Sequence, residues 1–253
     1  AVDSTLACLV PDAASLFTAG PLVDPGIFSF FDLETTGLSG GAGTVAFLAS
    51  IGRFDSISAG DAPVKLPSGP RSAEAQSRRL LQVTQFLLLD FPGEGIFWEL
   101  ILDELNSGNL GTVLVSYNGK AFDHQIMRNR CLMNGIRMPM VPHLDLLPTA
   151  RALWRHRLPS CRLTEIETSI LGLTREDDLP GSEAPVIWFD FLKTGQRERL
   201  EGIARHNVLD ILGLASLLAH LVELAADPVD STRVRPDDFE SFVLRWHGRL
   251  IAF

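Results

Sequence analysis

Residues 27–54 read IFSFFDLETTGLSGGAGTVAFLASIGRF, and the fold is decided in this stretch. The run IFSFFDL at 27–33 is short, aromatic and closed by acids, the pattern of a buried strand. GLSGGAG at 37–43 is a glycine-rich turn, and TVAFLASIGRF at 44–54 is a second strand that pairs back on the first as a hairpin. After a polar stretch at 71–79, LLQVTQFLLLD at 80–90 supplies a third strand. Further out, Ile96, Phe97, Leu100, Ile101 and Leu105 recur at helical spacing within 94–105. TVLVS at 112–116 is a fourth strand, 123–134 a helix and 143–147 a brief extended piece. Helices are expected at 148–154, 163–171 and 199–224. Three consecutive strands, a helix, a strand and then mostly helices predict a mixed α/β layered domain over 27–224. Residues 1–26, broken by Pro11, Pro21 and Pro25, are expected to be an irregular lead-in. Residues 225–253 are expected to be an extension with a short helix at 239–246.

Of the 253 residues, 46% are hydrophobic, ample for a packed core. The apolar runs at 45–51 and 86–89 fall well short of the roughly 20 residues that cross a bilayer. No basic flank followed by an apolar stretch opens the chain, so neither a membrane segment nor a signal peptide is expected. Cys8, Cys131 and Cys161 are too few and scattered for a disulfide framework or a zinc knuckle. Reduced thiols in a cytoplasmic protein follow, and any catalytic metal is expected to be held by oxygen, which favours Mg²⁺ or Mn²⁺ over Zn²⁺. The net charge of −9 is unevenly spread. Arg128, Arg130, Arg137, Arg151, Arg155, Arg157 and Arg162 face a single acid, Asp145, so 128–162 carries +6 and the remainder −15. Such a strip is an electrostatic track for phosphates or a set of solvated helix faces, and composition favours neither.

Asp32 and Glu34 stand one residue apart at a strand end, so the two-residue strand period puts both carboxylates on one face. Two acids this close repel each other unless a cation sits between them, though strand ends also carry acids for solubility. YNGKAFD at 117–123 follows the fourth strand. Its Asn118 and Gly119 make a tight turn, and Asp123 opens the next helix as a ligand or as an ordinary N-cap. RHNVLDI at 205–211 sets His206 and Asp210 one helical turn apart on a shared face. Alone, each feature has a structural explanation. Together they place four acids and a histidine at a strand end, a strand–helix junction and a C-terminal helix.

The order FDLETTG, YNGKAFD, HNVLD resembles the three exonuclease motifs of the DEDD superfamily. FDLETTGLSGGAGTVAFLASI at 31–51 and the stretch 143–210, with HLDLLPTARALW, LPSCRLTEIE and DLPG, resemble the bacterial YprB-type ribonuclease-H-like family. The resemblance covers roughly 27–221. It implies a ribonuclease-H-like mixed sheet, an antiparallel three-stranded meander plus parallel strands, flanked by helices. It further implies 3′→5′ exonuclease action on single-stranded DNA or RNA with two divalent cations, Mg²⁺ or Mn²⁺, about 3.5–4 Å apart. Carried over by motif, Asp32 bridges both ions, Glu34 and Asp210 complete one site, and Asp123 supports the other through water. His206 then accepts the proton of the attacking water, a task suited to an imidazole. One departure stands out: His206 precedes Asp210 by four residues, the tyrosine-type interval, where histidine-type members have five. The YNGKAFD spacing likewise resembles the proofreading domains of family B polymerases.

Several neighbours admit two readings. Thr35 and Thr36 donate to a terminal nucleotide or cap a turn. Gly40, Gly41 and Gly43 admit a phosphate backbone or simply build the hairpin. Asn118 and Lys120 touch substrate, or tie the turn and face solvent. Arg151 and Arg155 flank Trp154, as phosphate contacts beside a stacking ring or as a solvated rim over a core tryptophan. His143 and Asp145 are a second pair, with Asp145 an outer ligand or a structural acid. The rival functions are a nuclease-derived binding module without turnover and a phosphoesterase of small nucleotides.

Overall fold

The computed structural model describes residues 6–9, 25–37, 43–56, 79–107, 112–226 and 249–252. A mixed sheet forms its centre. β1 (Leu6–Leu9), β2 (Phe28–Thr35), β3 (Ala46–Ser56), β4 (Arg79–Leu87), β5 (Val113–Ser116) and β6 (His143–Asp145) lie in the order β1-β4-β3-β2-β5-β6. β2, β3 and β4 are the antiparallel meander, and β5 and β6 add on in parallel beside β2. The expected ribonuclease-H-like mixed sheet is therefore present.

The helices are α1 (Glu94–Asn106), α2 (Asp123–Met133), α3 (Leu147–Trp154), α4 (Leu163–Ser169), α5 (Ala184–Thr194) and α6 (Leu200–Ala226). They cover both faces of the sheet. On one face Phe31, Leu33, Phe47 and Phe86 pack against Phe97, Trp98 and Ile101 of α1, Ile126 of α2 and Trp188 of α5. On the other, Phe28, Phe30, Leu81 and Val83 pack against Trp154 of α3 and Val208, Ile211 and Leu214 of α6. Strand alternation thus divides β2 between two cores. The face with Phe28 and Phe30 continues into Asp32 and Glu34, towards the N-terminal half of α6.

α5 has no counterpart among the helices expected from sequence. It opens with a proline in its first turn, closes on Gly195 at φ 72°, and buries Ile187, Trp188 and Phe191. Trp188 stacks on Phe47 at 4.9 Å, and its indole N–H donates to the Leu88 carbonyl at 2.8 Å. Leu200–Leu224 is long and apolar enough by composition alone to cross a membrane, at mean hydropathy 1.6. Here that apolar surface packs on the sheet.

Both terminal segments add a strand to the sheet. Leu6–Leu9, expected to be irregular, pairs antiparallel with Leu80–Val83, and β7 (Arg249–Ala252), within the expected extension, pairs parallel with Thr84–Leu87. Both lie end to end along the outer edge of β4, satisfying backbone groups that an edge strand leaves open. The helix expected at 239–246, the polar stretch 71–78 and glycines 40 and 41 lie outside the described residues.

Arg130 of α2, one member of the basic strip, is turned inward. Its Nε donates to Glu94 Oε1 at 2.5 Å and its Nη2 pairs with Oε2, tying α2 to α1 with both side chains largely buried. Burial alone would raise the Glu94 carboxyl, but the hydrogen bonds and charge of Arg130 outweigh it and hold the group below its usual range. Breaking a buried pair strands the other charge. Arg130→Met is expected to cost about 3 kcal/mol in urea unfolding, and Glu94→Gln added to it should recover much of that cost. A single-variant cost below about 1 kcal/mol would show the pair to be solvated.

Candidate active site

The site is built where β2 runs under the first half of α6. Asp32 stands opposite Ser50 in the β2–β3 register. From α6, the Asn207 amide donates to Asp32 Oδ2 at 2.6 Å, while its own carbonyl accepts from the Ser50 hydroxyl. Gln85 of β4 closes this network, donating to Ser50 Oγ and to the Ala204 carbonyl, each at 2.9 Å. Ser50, Gln85 and Asn207 are all buried. A polar thread therefore crosses three strands and a helix to fix one carboxylate.

Asp123 arrives from the opposite side. The chain leaves β5 at Ser116, passes Asn118 at φ 65°, and turns at Gly119 into α2. A Cβ on Gly119 would lie 2.6 Å from Ser116 Cβ and 3.0 Å from Asp123 Oδ2, so this close approach requires glycine. The loop is held by Asp145, whose carboxylate accepts from the backbone N–H groups of Asn118 (2.8 Å), Lys120 (3.1 Å) and Leu147 (3.1 Å). Asp145 is thereby the structural acid of the two readings. His143 is a partner of the Ser116 hydroxyl at 2.7 Å. Burial, with His124 close by, lowers its pKa to about 4. The N-cap of α2 is Phe122, without a side-chain hydrogen bond, and Asp123 is the first residue of the helix rather than its N-cap.

His206 and Asp210 share a face of α6, as their spacing requires. Nδ1 of His206 lies 2.8 Å from Asp178 Oδ1, and Nε2 lies 3.5 Å from Asp210 Oδ2 and 4.0 Å from Glu34 Oε1. The segment before α5 makes the cradle: Asp178 fixes one ring nitrogen, and a Cβ at Gly181 would sit 3.1 Å from the other. Arg175, from the same segment, donates to Asp210 Oδ1 at 2.7 Å and to Asp178 at 3.1 Å. It also clasps the buried Glu167 through two contacts of 2.6 and 2.7 Å. Asp210 is thus anchored by one oxygen while the other faces His206.

The charges at this point do not balance. Burial, then Asp210, Asp123 and Glu34 in that order, pushes Asp32 well above the carboxylate range, against the opposing hydrogen bond from Asn207. Burial, Asp210, Asp123 and Asp178 raise Glu34 to about 8. Burial, Asp145 and Asp210 raise Asp123 to about 7. Carboxylates from three elements therefore crowd one another. Among the described residues, ligand atoms of Glu34, His206 and Asp210 come within 4.8 Å of one another. An oxygen-rich set of this kind with one imidazole fits a hard divalent cation.

The remaining expected contacts divide. The Thr35 hydroxyl donates to the Gly37 carbonyl at 3.0 Å, and the Thr36 hydroxyl accepts from Val45 N at 3.0 Å, so both tie the β2–β3 turn and Thr35 has no proton left for a nucleotide. Gly43 is exposed and unconfined. Lys120 is exposed beside the turn, and Trp154 is buried, the core reading. Asn118, Arg151 and Arg155 line a separate cleft of about 610 Å³. Asn207, Ser50, Gln85, Asp178 and Arg175 were not singled out from sequence. Asn207 lies inside HNVLD and Asp178 inside DLPG, so the motif strings contained the signal without the roles.

A family model described as the RNase_H superfamily matches residues 29–222. The protein YprB of Bacillus subtilis (strain 168) is 35% identical over 195 residues, covering 76% of this chain and 41% of that protein. The chain therefore spans less than half the length of this relative. The family B DNA polymerase of the hyperthermophilic archaeon Pyrobaculum calidifontis shares the fold at a TM-score of 0.54 and 13% identity, over 79% of this chain and 25% of that one. The zinc-bound E. coli exonuclease I complex with single-stranded DNA gives a TM-score of 0.45 and 15% identity, over 81% and 42% of the two chains.

Raised carboxyl pKa values have a definite sign in stability. An acid that holds its proton more tightly when folded stabilises the fold below its unfolded pKa of about 4. That contribution is lost as pH rises through about 7 for Asp123 and about 8 for Glu34. The melting temperature in EDTA is expected to fall across this window, and Glu34→Gln should flatten the decline. Mn²⁺ should restore stability most at the alkaline end. Superimposable wild-type and Glu34→Gln profiles would mean that Glu34 is not crowded.

Proposed function

The chain belongs to the RNase_H superfamily, and on that premise we propose that it is a metal-dependent nuclease hydrolysing phosphodiester bonds of single-stranded nucleic acid, from the 3′ end. The observation that carries this reading is the cluster of Glu34, His206 and Asp210, whose ligand atoms lie within 4.8 Å of one another, together with the charge repulsion that Asp32 and Asp123 share with these acids. These four acids would hold two divalent cations, Mg²⁺ or Mn²⁺. When bound, such ions supply charge neutralisation and Lewis-acid assistance to in-line displacement at phosphorus.

The chain's own groups do the rest. His206 Nε2 takes the proton of the attacking water. The contact of Nδ1 with Asp178 fixes the ring orientation and steadies the positive charge that His206 gains. The four-residue interval is accommodated because the imidazole is steered by the segment before α5 rather than by α6 alone. Asn207 and Arg175 each occupy one oxygen of Asp32 and Asp210, leaving the other available. Asn118, exposed in the loop that leads to Asp123, would contact the substrate. The buried, free Cys131 supports a reducing, cytoplasmic setting.

One observation favours a second reading, a binding module without turnover: Arg175 already gives Asp210 a counter-charge. Nucleotide release from an oligonucleotide labelled at its 3′ end separates the two. Wild type with Mg²⁺ or Mn²⁺ is expected to release nucleotides, and Asp32→Ala and Asp210→Asn to release none while binding persists. His206→Ala should slow release about 10²–10⁴-fold, and Asp178→Asn about 10–100-fold. Wild-type binding without release in either ion would establish the binding module.

A further inference from the structure

The cleft of about 610 Å³ lies between the loop after β5 and the segment joining α3 to α4. Arg151 and Arg155 are one helical turn apart at the end of α3, and Arg162 immediately precedes α4. All three line the cleft, and among the described residues no carboxylate pairs with any of them. The Arg155 Nε contact goes to His156, not to an acid. Like charges one turn apart on a helix repel each other, which offsets the favourable placing of Arg151 and Arg155 at the C-terminal end of α3. Four other arginines are paired with acids: Arg53 with Glu104, Arg130 with Glu94, Arg175 with three acids and Arg199 with Glu183.

The wall opposite is firm. The Tyr117 hydroxyl donates to the Cys161 carbonyl at 2.7 Å, linking the loop after β5 to the segment that bears Arg162. Asn118, the next residue, is held in its left-handed conformation with its N–H on Asp145. Gly119 then abuts Asp123. The cleft and the acid cluster are therefore two sides of one loop.

Resting on the nuclease reading above, we propose that this cleft binds the phosphodiester backbone of the substrate strand next to the scissile bond, through Arg151, Arg155 and Arg162. Guanidinium groups match phosphate oxygens in geometry as well as charge. The acid cluster repels a polyanion until cations neutralise it, whereas the arginine cleft attracts one at all times. Affinity and cutting are thereby assigned to opposite sides of the loop 117–123. Strand binding by the cleft does not depend on the divalent ions.

The test uses the full chain, a short fluorescein-labelled oligothymidylate and fluorescence anisotropy in EDTA over a series of KCl concentrations. Arg151→Gln/Arg155→Gln/Arg162→Gln is expected to weaken binding at least tenfold at low salt. It should also reduce the slope of log K against log salt by about 2, since each single-strand phosphate that an arginine neutralises adds about 0.7 to that slope. The corresponding triple Lys variant, which keeps the charge should the Gln variant fold poorly, is expected to retain the slope. Asp32→Ala, which removes one of the acids that repel the strand, should bind no more weakly than wild type. Wild-type affinity and slope in a folded Gln variant would overturn the inference. Release of 3′ nucleotides by wild type is scored separately with Mn²⁺. Release together with an unaffected Gln variant refutes the cleft and leaves the nuclease reading standing. Abolished EDTA binding in the Gln variant with no release by wild type does the reverse.

Discussion

The constraint around which the rest is arranged is electrostatic: several carboxylates are packed against the central strand of a sheet, out of bulk water. Such a cluster opposes folding unless each acid keeps a proton, a hydrogen-bond donor or a cation beside it. The structure distributes these remedies unequally. Asp32 receives the Asn207 amide, Asp210 receives Arg175, and Glu34 and Asp123 are left with burial and repulsion, which raise their pKa to about 8 and about 7. These two acids mark where added positive charge is most favourable. Asn207 and Arg175 act less as ligands than as fixtures, each holding one oxygen of its acid.

Much of this was legible in the linear sequence, for physical reasons. The strand period of two put Asp32 and Glu34 on one face, and the helical period put His206 beside Asp210. The meander followed from three apolar runs with no helix between them. What stayed hidden depends on partners far apart in the chain. Asn207 reaches Asp32 across 175 positions, and Arg175 reaches Asp210 across 35; no local pattern announces such pairs. α5 escaped notice although its early proline and closing Gly195 are ordinary boundary signals. Leu6–Leu9 and Arg249–Ala252 could not be read as strands because four residues carry little periodicity, and what orders them is the open edge of β4.

Residues of one chemical type have separate tasks here. Asp145 and Asp178 have the same side chain as the clustered aspartates, yet both point their oxygens at donors on neighbouring segments. Asp145 gathers three backbone N–H groups and so holds the loop that delivers Asp123. Asp178 faces a ring nitrogen and fixes which edge of His206 looks into the cluster. The arginines divide likewise: Arg130 and Arg175 are buried connectors with their own acids, whereas Arg151, Arg155 and Arg162 stand around an open cleft. Charge in the linear strip 128–162 was therefore a poor guide until burial sorted it.

The stretch between α4 and α5 has a consequence for how such a chain can diverge. Irregular connections normally tolerate insertions and deletions, because nothing depends on their length. Here, within seven residues, Arg175 meets Asp210 and Glu167, and Asp178 and Gly181 close on the two ring nitrogens of His206. One residue added or removed would displace the chain by up to about 3.5 Å, more than the length of any hydrogen bond it makes there. This coil is as fixed in register as a strand, and in related chains its length should vary less than its lack of regular structure suggests.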